Sequence, residues 1–99
     1  MDNKQKQIFL IENLLSHTIT LRKKIEVSNK HIPYMKSYLK ILINIEETLS
    51  NQPLDLDRLR RDKFGIFRIV DGFADNPIEK EMMELHDEIF DLLKLSKDL

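Results

Sequence analysis

The sequence predicts an all-α fold, an antiparallel four-helix bundle with helices over about residues 4–27, 33–50, 56–71 and 77–96. Three observations lead there. Apolar residues recur at spacings of three and four through four separate segments, the period of a helix with one buried face. Only two glycines and three prolines interrupt the 99 residues. The breaks are short, and short connections set consecutive helices side by side and antiparallel. A chain of this length is expected to form a single domain, residues 1–99, around one core.

The first segment carries Ile8, Ile11, Leu14, Leu15, Thr18, Leu21 and Ile25 in one stripe. Leu10 and Ile19 widen that stripe enough to touch two neighbours, while Phe9 and Val27 stand outside it. Pro33 disfavours helix at Ile32 and suits the first turn of the second helix. That helix aligns Met35, Tyr38, Leu39, Leu42, Ile45 and Leu49, with Ile41 and Ile43 on its flanks, and ends at Asn51-Gln52-Pro53.

Asp55 or Asp57 can cap the third helix, and Gly72 is a natural stop. Its expected inward residues are Leu56, Leu59, Ile66, Phe67 and Val70. The run from Phe64 to Val70 also has strand propensity. Helix is preferred because the stripe fits its period and a lone strand has no partner in this chain. Asn76, Pro77 and Glu79 resemble a capping box with proline at the first helical position. The fourth helix then points Ile78, Met82, Leu85, Ile89, Leu92 and Leu93 inward.

At 1.5 Å per residue the first helix spans about 36 Å and the others about 24–30 Å. Its excess must project, bend or meet a second subunit. A homodimer through the long first helix is one expectation.

Charge is sorted along the chain. Residues 1–70 hold 13 Lys/Arg against 8 Asp/Glu, and residues 71–99 hold 3 against 9. The near-neutral total of −1 therefore conceals opposite halves. Either the halves face each other inside the fold, or one faces another molecule. Glu81, Glu84, Glu88 and Asp91 form an acidic stripe on one side of the fourth helix, with Asp87 at its edge. Arg58, Arg60, Arg61, Lys63 and Arg68 crowd the third. The plain expectation is that these arginines meet the acids across the hairpin joining the two helices.

The functional expectation is a surface for another protein, one with a basic face, built from Glu81, Glu84, Glu88 and Asp91. Met83 and Phe90, on the opposite flank, would add apolar contact. Arg58, Arg61 and Arg68 are candidate anion ligands, with Gly65 open to an approaching phosphate or else serving close helix packing. Nucleic acid is disfavoured as a partner, because the pI is about 6.3 and binding scales with phosphates neutralised.

Arg22 and Glu46 occupy positions where the period calls for apolar residues. Their meeting across the first hairpin is one expectation, and separate extension from the rim of the core is the other.

Several activities are excluded or disfavoured. With no cysteine there is no disulfide framework, thiolate metal site or cysteine nucleophile, and a cytoplasmic location fits. The apolar run from Ile8 to Ile11 stops at Glu12, too short for a signal peptide or a membrane span. His17, His31 and His86 are scattered, without metal-ligand spacing. Nucleotide-binding glycine loops and hydrolase nucleophile motifs are missing. The sequence thus points away from an enzyme, with no catalytic residue, cofactor or metal assigned. It favours a small interaction protein of inhibitor, immunity, antitoxin or adaptor type. A nucleic-acid-binding regulator using the third helix is the alternative.

Overall fold

A computed structural model describes residues 2–28, 35–70 and 77–97. Four helices occupy them: α1 (Asn3–Glu26), α2 (Met35–Ser50), α3 (Leu56–Ile69) and α4 (Pro77–Ser96). No strand occurs among the described residues, and 64–69 are helical. The expected roles of Pro33, Gly72 and Asn76 fall outside the described residues.

Helix ends follow local chemistry. Asp2 caps α1 with a reciprocal box: Gln5 N–H donates to Asp2 Oδ1 at 2.8 Å, and Asp2 N–H donates to Gln5 Oε1 at 3.3 Å. Lys23 and Lys24 lie in its last turn, where cations suit the negative end of the helix dipole. Of the two candidate caps for α3, Asp55 is used, accepting from Arg58 N–H at 3.0 Å. This helix ends earlier than expected, with Val70 as its C-cap.

The helices form a four-membered ring in which α1 contacts α2 and α4, and α3 contacts α2 and α4. Residues at opposite ends of the chain meet: Gln7 donates to Ser96 Oγ at 3.0 Å, and Lys24 reaches Glu81 at 3.0 Å. This antiparallel pairing carries α4 along α1 from its second turn to its last. Between these contacts α1 lies against α4, while Ile8, Phe9 and Val27 of the long first helix stay exposed.

One apolar cluster draws on every helix: Leu14, Leu21 and Ile25; Tyr38, Leu42 and Ile45; Leu59 and Ile66; Met82, Leu85, Ile89 and Leu92. Burial of such side chains contributes about 1.5–3 kcal/mol each. Buried hydroxyls are satisfied locally, Thr18 by Leu14 O at 2.6 Å and Thr48 by Asn44 O at 2.9 Å. The Tyr38 ring crosses the core, and its hydroxyl donates to Glu79 Oε1 at 3.2 Å.

Several inward assignments change. Ile41, expected on the flank of α2, is buried in the core, and Leu56, expected inward, is only half-buried. Ile8, expected in the stripe of α1, is exposed, because only the middle and end of that stripe reach the interior. Phe67 is 63% exposed instead of buried. On α3 the buried line runs through Leu59, Asp62, Ile66 and Val70, and Phe67 sits about 100° round the helix from Ile66. Asp62 was not expected inside. Gly65 serves close approach: a Cβ there would stand 3.3 Å from Ile41 Cδ1. The open surface that a phosphate would need at Gly65 is covered by α2.

Candidate interaction surface

Two flanks of α4 border its buried stripe, and they differ in chemistry. The first carries Glu81, Glu84 and Glu88, and it faces α1. His17 sits among these three carboxylates, with Nδ1 2.7 Å from Glu88 Oε2 and Nε2 3.9 Å from both Glu81 and Glu84. Lys24 binds Glu81 from the same helix face, seven residues on. The sequence offered this grouping only in part: the acids were legible as a stripe, but nothing local linked His17 to them.

The expected pairing of the α3 arginines with these acids is absent among the described residues. Arg58 instead binds Glu47 of α2 at 2.8 Å, and Arg60 binds Asp57 on its own helix at 2.7 Å. Arg61 and Arg68 are exposed. The reason is rotational. The acids lie on the side of α4 turned from α3, so arginine side chains on α3 cannot reach them around the helix. The candidate anion set of Arg58, Arg61 and Arg68 is also divided, with Arg58 turned toward α2.

Arg22 and Glu46 do meet, Arg22 Nε donating to Glu46 Oε2. Arg22 also donates to Glu26 at 2.8 Å. Hydrogen bonding to Glu46, and then to Glu26, pushes the guanidinium pKa above its ordinary value. Both partners are half-buried at the rim, which ties α1 to α2 without a fully dehydrated charge.

Asp62 is the exception. It is 8% exposed, and its Oδ2 has no hydrogen-bond partner. Burial raises its pKa from 3.8 to about 6, against the opposing pull of Arg58 and Arg61.

The second flank of α4 carries Met83, His86 and Phe90 and faces α3. Met83 packs partly against the core. Phe90 is 51% exposed, Phe64 is 56% exposed, and Lys63 Nζ lies over both rings at 5.5 and 5.1 Å. Phe67 stacks obliquely on His86 with centroids 6.1 Å apart. Three phenylalanines from two adjacent helices thus share one exposed face. Along it runs an open groove of about 380 Å³ floored by Phe64, Phe90 and Leu93. Its charged lining residues are Arg60, Lys63, Lys94 and Lys97, all cations. Of the six residues expected to bind a partner, Phe90 lies on this groove. Glu81, Glu84 and Glu88 lie on the opposite flank with His17, Asp91 is exposed, and Met83 is half-buried.

Among the described residues no group of three or more His, Asp or Glu is arranged to hold a metal ion, and no helix is long and apolar enough to cross a membrane. Comparison with known protein families, with curated proteins and with solved structures found no match.

Proposed function

We propose that this chain is a non-catalytic protein–protein interaction module that acts by occupying a partner's surface, as an inhibitor or adaptor does. The observation that carries this reading is the aromatic face of α3 and α4, where Phe64, Phe67 and Phe90 each leave more than half of their accessible surface in water. Aromatic side chains supply the buried centres of protein interfaces, because each covers a large apolar area with little rotamer freedom to lose. Three on one two-helix face form a nucleus for such a contact.

The acidic flank has less support as the docking face. Glu81 and Glu88 are engaged with α1, which leaves Glu84 and Asp91 as its freer carboxylates. A basic partner would have to compete with His17 and Lys24. The absence of cysteine fits a reducing compartment such as the cytoplasm.

The test is in-cell cross-linking in the native host. It compares the wild type, a Phe64→Ser/Phe67→Ser/Phe90→Ser variant and a Glu84→Gln/Glu88→Gln/Asp91→Asn variant. Loss of one protein partner from the serine variant alone supports the aromatic face. Loss from the neutralised variant alone moves the contact to the acids. Retention in both removes the α4 surfaces from the interaction. A cross-linked second copy of the chain would make the module a homodimer.

A further inference from the structure

We infer that the groove between α3 and α4 receives an amphipathic helix whose apolar stripe is flanked by carboxylates. This rests on the interaction reading above and specifies the partner's chemistry.

The floor is apolar, and its sides hold the exposed flanks of two antiparallel helices. A trough of that shape accepts a third helix, with its ridge of side chains lying in the groove at the usual interaxial distance of about 8–10 Å. The charges decide the occupant's sign. Every charged lining residue is a cation. Glu81, Glu84 and Glu88 lie on the far flank. Asp87, paired with His86, is an acid of α4 on this side and stands outside the groove lining. Lys94 and Lys97 are exposed on one wall, and Lys63 sits between Phe64 and Phe90 in the middle. Carboxylates on both edges of an incoming helix would reach Lys94 and Lys97 on one side and Lys63 near the other, while its apolar residues cover the rings.

A nucleic acid fits less well. Its affinity grows with the number of phosphates neutralised. Arg60 is already bound to Asp57, and the chain as a whole is slightly negative. A free fatty acid or similar small amphiphile needs a pocket that encloses most of its surface, and this groove lies open.

The experiment uses the full chain and two synthetic amphipathic peptides of about 15–18 residues. They share one leucine stripe, flanked by Glu in one and by Lys in the other. Binding is read by fluorescence anisotropy and by amide shift mapping. The Glu-flanked peptide is expected to bind at least about tenfold more tightly than the Lys-flanked one, shifting amides of residues 60–64 and 90–97. A Lys94→Glu/Lys97→Glu variant should reverse that preference with an unchanged circular dichroism spectrum. Equal binding of both peptides, no binding, or an unreversed preference overturns the inference. So does tighter occupancy of the same residues by an oligothymidine or by laurate.

Failure here is separable from failure of the broader reading. If the triple serine variant loses its cellular partner while Lys94→Glu/Lys97→Glu keeps it, the interface stands and the acidic helix does not. If the serine variant keeps its partner, the interface itself is misplaced.

Discussion

The two flanks of α4 solve the same packing problem in opposite ways. Toward α1, carboxylates close around His17 and Lys24, so polar groups that border the core are matched within the chain. Toward α3, aromatic rings border the core, and their outer halves meet water under a single lysine. The first seam uses its chemistry internally. The second leaves apolar area that a further surface can cover. A strong sequence signal, such as a stripe of acids, can thus be partly engaged within the chain, as Glu81 and Glu88 are with α1, while three scattered phenylalanines share one exposed face.

The comparison can be tested by perturbing its parts in order of expected effect. Leu85 is fully buried in the stripe that both flanks share. Its replacement by alanine should cost about 3 kcal/mol in chemical denaturation. A loss below about 1 kcal/mol would mean that the stripe does not anchor α4.

Asp62, on the side of α3 away from the aromatic face, provides the next effect and the opposite sign. Its folded pKa, raised to about 6 from 3.8, means that the unfolded chain ionises first as pH rises. Stability therefore falls between about pH 4 and 6, and the full cost persists above that range. Asp62→Asn should stabilise the protein by about 2 kcal/mol at pH 8 and by almost nothing at pH 3. Paired thermal melts at the two pH values check this, and an equal gain at both would rule out burial of charge as the cause.

On the closed seam, His17→Ala removes a donor from among three carboxylates. A loss of about 1 kcal/mol is expected, smaller in high salt because the remaining repulsion is then screened. Urea titrations at low and high ionic strength measure it. On the open seam, Phe64→Ser, Phe67→Ser and Phe90→Ser should each change stability by no more than about 0.5–1 kcal/mol, since most of each ring is already wet. A loss of about 2 kcal/mol at any of them would show that the aromatic face is part of the core.

Much of the architecture was legible because helix signals are local. The periods of α1, α2 and α4 located their buried stripes, and Asp55 marked the start of α3. The Asp2–Gln5 box was equally readable, as an acceptor followed three residues later by an amide, although the predicted helix began beyond it. Arg22 and Glu46 were found as charges interrupting two apolar stripes, and a short hairpin is enough to bring such residues together. Phe67 was misplaced because hydrophobicity alone favours the ring over a carboxylate. The position at Asp62 is nevertheless the one that α3 turns inward. His17 gave no local sign of its role, since its partners lie 64 to 71 positions further along the chain.

The sequence by itself determined four helices, several of their ends and most of the buried stripes of α1, α2 and α4. These follow from backbone capping and a 3.6-residue period, which act over a few residues. Only the tertiary structure decided which flank of α4 met α1 and which met α3. Both flanks adjoin the same apolar stripe, and a bundle turning in the opposite sense would exchange their neighbours without moving any stripe from the core. That choice of turn placed the acids against His17 and Lys24, and it left the phenylalanines and lysines together on an open face.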